Sequence, residues 1–287
     1  MSLTRVAVIG AGTMGHGIAQ VAIQSGLEVR LCDAQPLVLD RALQQIRSGL
    51  DRTVEKGRLD AAGREAALAR LATARDPREA SHDADLVIEA IPERLELKQA
   101  LFASLEEIVP AGCLLASNTS SLRIASIAAG RRRPERILGM HFFNPVPVMA
   151  LLEIVVHAGT APGSLEQARE AGARLGKTCI VVQDSPGFAS SRLGIALGLE
   201  AIRMVEQGVA SPQDIDTAME LGYRHPMGPL RLTDVVGLDV RLAIAESLHR
   251  ELGSEAFRPP RLLVEMVREG RLGKKSGRGF YDWSGSS

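Results

Sequence analysis

Arg5-Val-Ala-Val-Ile-Gly10-Ala-Gly12-Thr-Met-Gly15-His16 is the stretch that decides how this chain folds. Arg5 to Ile9 is a short β-branched run, of the kind found in a parallel strand buried on both faces. Three glycines follow. Helical spacing of Ile18, Val21 and Ala22 comes next, with Gly26 placed to end the helix. A second apolar run, Glu28 to Cys32, completes a βαβ unit. In such a unit Gly10 permits the tight turn, Gly12 lets backbone approach a pyrophosphate, and Gly15 brings helix against sheet. The helix start, with unpaired N–H groups and the positive end of its dipole, suits an anion without any basic side chain. Gly10, Gly12, Thr13, Met14 and Gly15 are therefore candidate dinucleotide-binding residues. An ordinary glycine turn is the alternative, and the flanking strand and helix weigh against it.

Asp33 ends the second run, close to the ~20-residue offset at which a carboxylate accepts hydrogen bonds from the adenosine ribose. It would repel a 2′-phosphate. Ala34-Gln35-Pro36 supplies no arginine to offset that repulsion, so the pattern predicts NAD rather than NADP. Capping of the helix that starts at Pro36 is the other role open to Asp33.

Outward from this unit, Ala84 to Ile88 and Cys113 to Ser117 read as further buried strands. Helical stretches from Pro36 to about Lys56 and from Asp60 to Arg70 form a charged hairpin, longer than a plain crossover needs. Arg136 to Phe143 and Leu151 to Val156 read as strands parted by the turn Asn144-Pro-Val-Pro-Val-Met149. A helix from about Ser164 to Leu175 precedes a strand from Lys177 to Gln183. Beyond Asp184-Ser-Pro186-Gly187 only helical spacing remains, over 188–207, 212–221, 229–252 and 260–269. The expected fold class is α/β: a Rossmann-type doubly wound sheet domain, 1–184, followed by an all-α C-terminal domain, 185–287. Helices rich in alanine, leucine and methionine suit packing against a second copy, so a homodimer is expected.

Composition removes several function classes. The 287 residues carry 34 basic and 34 acidic side chains for a net charge of +0, which argues against a nucleic-acid partner. No run approaches ~18 apolar residues, so no membrane span is expected. Met1-Ser-Leu-Thr leads directly into a strand, leaving no room for a targeting segment, and a cytoplasmic setting is expected. Cys32, Cys113 and Cys179 lack metal-ligand spacing and read as small buried hydrophobes, with no metal expected.

A dehydrogenase acting on an alcohol needs a base for the hydroxyl proton, and histidine titrates in the right range. Of six histidines, His141 has the best setting, at the carboxyl end of a strand beside Asn144-Pro145. Ligands of open α/β folds bind at that edge. Glu153 lies on the next strand, where the turn can return its carboxylate to the imidazole. Taken alone, a strand histidine is more often a packed or surface residue than a base, and Glu153 by itself is more often a surface strand residue.

Six ordered blocks give more. Ser117-Asn-Thr-Ser-Ser-Leu122, Gly139-Met-His-Phe-Phe-Asn-Pro-Val-Pro-Val-Met149, Asp184-Ser-Pro-Gly-Phe188, Asp214-Ile-Asp-Thr-Ala-Met219, Pro226-Met-Gly-Pro229 and Gly273-Lys-Lys-Ser-Gly-Arg-Gly-Phe-Tyr281 run end to end through the chain. Together with the glycine stretch they closely resemble the short-chain L-3-hydroxyacyl-CoA dehydrogenase family, which includes bacterial 3-hydroxybutyryl-CoA dehydrogenases. The resemblance implies NAD as cofactor and a coenzyme A thioester as substrate. It implies His141 as base, Glu153 as its partner, Ser120 as the hydroxyl that meets the substrate 3-oxygen, and Asn144 as support for the histidine region. Turn formation before Pro145 is an equal reading of Asn144. Glu93 and Lys98 match positions near the nicotinamide, a solvated helix start being the alternative. Lys56, with Arg52 one helical turn earlier, falls where the family meets the 3′-phosphate of coenzyme A; a solvated helix face is the alternative.

One departure stands out. The family places an asparagine before Arg192-Leu193, and this chain has Ser191, shorter and with a single donor toward substrate. Rival readings are a dehydrogenase of a free hydroxy acid and a non-catalytic NAD-binding protein. Gly277 and Gly279 belong to the last block, and spacing assigns them no physical role.

Overall fold

The computed structural model describes residues 3–285 and divides, between Ser185 and Pro186, into two compact units. In the first, chain order is β1 (Arg5–Ile9), α1 (Gly15–Gln24), β2 (Glu28–Cys32), α2 (Pro36–Glu55), α3 (Ala61–Leu68), β3 (Leu71–Ala74), α4 (Pro77–Ser81), β4 (Leu86–Glu89) and α5 (Leu95–Ile108). It continues with β5 (Leu114–Ser117), α6 (Ile124–Ala128), β6 (Ile137–Phe142), β7 (Leu151–Val156), α7 (Pro162–Arg174) and β8 (Thr178–Gln183). The strands form one sheet ordered β3-β2-β1-β4-β5-β6-β7-β8. Pairing is parallel from β3 through to β6. It turns antiparallel between β6 and β7, and β8 then runs parallel to β7.

This is the expected doubly wound sheet. Strand order reverses between β1 and β4, and ligands of such sheets bind in the crevice beyond the carboxyl ends there. Apolar character accounts for the central strands, since every residue of β4, β5 and β6 is buried. Pro36 opens α2 at a position where its missing N–H costs nothing, and the Asp60 side chain caps α3 by accepting from Gly63 N at 2.7 Å. The edge strand β8 is only partly covered, so Cys179 on it is half-buried, not buried as expected; Cys32 and Cys113 are buried.

The second unit is helical: α8 (Ser190–Glu206), α9 (Pro212–Thr217) running into a wide turn at Ala218–Gly222, α10 (Pro229–Val236), α11 (Leu238–Leu252) and α12 (Arg261–Arg268). The single helix expected over 229–252 is two. Gly237, at φ +104°, lies outside the helical region and separates α10 from α11. Ile195, Leu199, Leu230, Leu238, Leu248 and Leu263 form its core.

Two buried aspartates organise this unit. Asp216 accepts from Leu230 N and Arg231 N, both at 2.8 Å, at the start of α10, and from Tyr281 Oη at 2.7 Å. Asp234, fully buried, accepts from Phe280 N at 2.9 Å, Tyr281 N at 2.9 Å and Trp283 Nε1 at 2.8 Å. A Cβ on Gly279 would lie 2.1 Å from Asp234 Oδ1, so only glycine lets the last block close over that carboxylate. Gly277 supplies a left-handed turn at φ +76°. Among the described residues no helix is long and apolar enough to cross a membrane.

Candidate active site

The glycine turn has the shape that a pyrophosphate needs. Gly10 sits at φ +102°, and a Cβ there would lie 2.5 Å from Ala90 O. A Cβ on Gly15 would lie 1.7 Å from Gly10 O, so this glycine lets α1 abut the strand end. At Gly12 nothing lies within 4 Å, which leaves the backbone open to an approaching group. Thr13 and Met14 complete the turn before α1. Asp33 accepts from Ala11 N at 2.9 Å through one oxygen and from Gln35 N at 3.0 Å through the other. It therefore braces the glycine turn and the approach to α2 together. A carboxylate has about four acceptor sites, so both bonds leave capacity for a ribose diol. These residues fit a dinucleotide with an unphosphorylated ribose.

His141 and Glu153 meet across the antiparallel pair β6–β7, where they are register partners. Nδ1 of His141 lies 2.8 Å from the Glu153 carboxylate, with 7% of the histidine and none of the glutamate exposed. Phe143 packs on the imidazole with ring centroids 4.5 Å apart. Over this pair opens a cavity of about 330 Å³, lined among others by Met14, Glu93, Lys98, Ser120, His141 and Asn144. The first unit thus brings the proposed base, hydroxyl and cofactor residues to one cleft. Asn144 lines it from a cis bond to Pro145. The bond that steadies the strand beside His141 comes from Asn118, whose Oδ1 accepts from Phe142 N at 2.9 Å.

Lys98 departs from the solvated helix start that was one reading of it. Its side chain is 1% exposed, with Nζ 2.5 Å from Glu89 and 3.2 Å from Glu93. Glu89 also accepts from Ser117 Oγ at 2.6 Å and from Ile91 N at 2.8 Å. Burial pushes the Glu89 carboxyl above its ordinary value, although Lys98 opposes the shift. Glu93 is pushed up by burial as well, but Lys98 and the hydroxyls of Thr119 and Ser121 outweigh that and hold it below its ordinary value. One Glu93 oxygen gathers the loop that carries Ser120, accepting from Thr119 Oγ1 at 2.5 Å, Ser120 N at 3.1 Å and Ser121 N at 3.2 Å. Sequence reasoning missed Glu89, Ser117, Thr119 and Asn118. The one available signal was a carboxylate closing the apolar run Leu86-Val-Ile-Glu89.

Arg52 and Lys56 lie on α2 and just past its end, and both line a second, polar cavity of about 690 Å³ together with His16, Ser48 and Pro147. Arg52 donates to Ser48 Oγ at 2.8 Å. Ser191 lies in the first turn of α8, in the second unit, half-buried.

Residues 5–185 match the family model for the 3-hydroxyacyl-CoA dehydrogenase NAD binding domain, and 187–283 match the 3-hydroxyacyl-CoA dehydrogenase C-terminal domain. A probable 3-hydroxybutyryl-CoA dehydrogenase of Bacillus subtilis is 44% identical over 99% of this chain and 98% of its own. A 3-hydroxybutyryl-CoA dehydrogenase of Mycobacterium tuberculosis is 42% identical over 98% of this chain and 99% of its own. The crystal structure of (S)-3-hydroxybutyryl-CoA dehydrogenase from Ralstonia eutropha superposes with a TM-score of 0.95 at 40% identity, covering 98% of this chain and 99% of that one. The two family models and the whole-chain likeness converge: the chain belongs to the 3-hydroxyacyl-CoA dehydrogenase family of NAD-dependent oxidoreductases.

Proposed function

We propose that the protein interconverts L-3-hydroxyacyl-CoA, such as 3-hydroxybutyryl-CoA, and 3-oxoacyl-CoA, with His141 as the general base. The buried 2.8 Å contact between His141 and Glu153, at the floor of a cleft beside the glycine cradle, carries this reading. With Nδ1 engaged by the carboxylate, Nε2 is the nitrogen that exchanges a proton with the substrate 3-oxygen. NAD, held by the glycine turn and Asp33, would supply the hydride acceptor for this chemistry. Glu153 stabilises the imidazolium that forms on proton uptake. Ser120 holds the 3-oxygen, its hydroxyl able to donate or accept as alcohol becomes ketone. Asn144 borders the reacting centre. Glu93 and Lys98 set the loop of Ser120 on the nicotinamide side.

Gly10, Gly12, Thr13, Met14 and Gly15 take the pyrophosphate, and Asp33 takes the adenosine ribose. Lys56 and Arg52 take the 3′-phosphate of coenzyme A, which supports a thioester over a free acid. Residues 1–184 serve as the NAD-binding domain, while 185–287 supply Ser191 to the substrate and the contact surface of a homodimer. We place the enzyme in the cytoplasm and in fatty acid metabolism of the β-oxidation type. The test is NADH oxidation with acetoacetyl-CoA against free acetoacetate. Turnover of the thioester, abolished by His141→Ala, is expected. Preference for the free acid would reassign the substrate, and NAD binding without turnover of either would leave only a binding protein.

A further inference from the structure

β4 is apolar until its last residue, Glu89, whose side chain is fully buried. A carboxylate taken out of water is costly to fold, where an apolar side chain at the same place would stabilise by its burial. Its bonds offset that cost. Oε1 accepts from Lys98 Nζ at 2.5 Å and from Ile91 N at 2.8 Å, while Oε2 accepts from Ser117 Oγ at 2.6 Å. Glu93, Lys98, Asn118 and Ser120 line the cleft over His141, and Glu89 does not. Any part it has in the reaction therefore runs through its neighbours.

Two routes lead from Glu89 to the loop of Ser120. The first passes through Lys98, whose ammonium has Glu89 at 2.5 Å, Glu93 Oε2 at 3.2 Å and Ile91 O at 3.4 Å around its three protons. The short bond to Glu89 fixes the ammonium. At its longer contact it balances part of the Glu93 charge without drawing that carboxylate away, so Glu93 Oε1 still accepts from Thr119 Oγ1, Ser120 N and Ser121 N. The second route passes through Ser117, whose Oγ donates to Glu89 and accepts from Thr119 N at 3.3 Å. Main chain follows the same course, Asn118 N donating to Glu89 O at 2.8 Å.

We propose that Glu89 is a positioning residue, holding Lys98 and Ser117 so that the Ser120 hydroxyl stays aimed at the 3-oxygen of the thioester. This rests on the reading of Ser120 as the hydroxyl that meets that oxygen. Without the Glu89 charge, Glu93 is the one anionic partner left to Lys98 among the described residues. The ammonium then closes on Glu93 and pulls it from the loop. A shift of about 1 Å in a reacting group costs up to about a hundredfold in rate, so the effect falls on turnover rather than on binding.

The experiment is a double-mutant cycle on kcat for NADH-dependent reduction of acetoacetyl-CoA, with wild type, Glu89→Gln, Ser120→Ala and the double variant. Glu89→Gln is expected to lower kcat about thirtyfold while KM for the thioester changes by less than about threefold. In the Ser120→Ala background the same substitution should cost less than about twofold, because no hydroxyl is left to misplace. Amide exchange, taken relative to intrinsic rates, should show protection lost at Ser120 and Ser121 in Glu89→Gln and kept in β1 and β5. Ser117→Ala cuts the hydroxyl route alone. It should show the same dependence on Ser120 at smaller size, and it tests the proposal should Glu89→Gln misfold. An equal cost of Glu89→Gln in both backgrounds, or unchanged protection at Ser120, makes Glu89 an ordinary buried ion pair and overturns the proposal. A wild type that does not turn over the thioester would refute the assigned reaction instead, and the exchange measurement would still decide whether Glu89 holds the loop.

Discussion

His141 and Glu153 occupy opposing positions of one antiparallel register, and their side chains meet at 2.8 Å on the same face of the sheet. The carboxylate is wholly buried, so the interaction is little screened by solvent. Glu153→Gln keeps the volume and removes the charge proposed to stabilise imidazolium. The expected result is a fall in kcat of about a hundredfold or more with the fold intact, read by NADH absorbance alongside circular dichroism.

Asp33 braces Ala11 N and Gln35 N, and it faces the proposed ribose site with its remaining acceptor capacity. Wild type should prefer NADH over NADPH. Asp33→Arg should reverse that preference while lowering activity with both, because the two backbone N–H groups lose their acceptor. Kinetic comparison of the two cofactors decides it, and a wild type that already favours NADPH would sink the assignment.

Lys56 lines the polar cavity beside α2. Lys56→Ala should raise KM for acetoacetyl-CoA about tenfold with kcat preserved, and the difference should shrink at high salt. An unchanged KM would return Lys56 to the status of a solvated residue.

Glu93 anchors the Ser120 loop as an ionised carboxylate whose pKa is held below its ordinary value of 4.5. A carboxyl with a depressed folded value lends its full stabilisation above the unfolded value, and that stabilisation is lost as pH falls through the folded one. Protection of the Ser120 and Ser121 amides, measured as exchange relative to the intrinsic rate at each pH, should therefore hold down to about pH 4.5 and decline as pH falls further. Glu93→Gln should remove the acid dependence.

In the second unit, Asp234→Ala would leave Phe280 N, Tyr281 N and Trp283 Nε1 without their acceptor. A loss of about 3 kcal/mol in unfolding free energy is expected, from urea titration followed by Trp283 fluorescence. Unchanged stability would mean that water takes the place of the carboxylate.

The sheet was legible because strands buried on both faces must be apolar throughout, as Leu86-Val-Ile and Leu114-Leu-Ala are, and because Gly10, Gly12 and Gly15 answer to backbone geometry alone. The His141–Glu153 pairing was legible because a hairpin brings residues of that spacing together. Glu89 and Lys98 were not, since a charged residue in a sequence looks the same whether solvated or buried against its counterpart. The split at Gly237 was hidden by apolar spacing that continues on both sides of it. Asp234 drew no notice for the same reason as Glu89, yet its carboxylate is what gives Gly279 its purpose.

The reversal of direction between β6 and β7 has a consequence for how much variation the hairpin tolerates. β7 is held on both flanks, with Glu153 set against His141 on one side and against Ile180 on the other. Because side chains alternate, sliding β7 by one residue would turn Glu153 to the opposite face and bring Leu152 or Ile154 opposite the imidazole. The 143–150 connection is thus free to change in length or composition only where β7 keeps its place, and β8 acts as the ruler that enforces it.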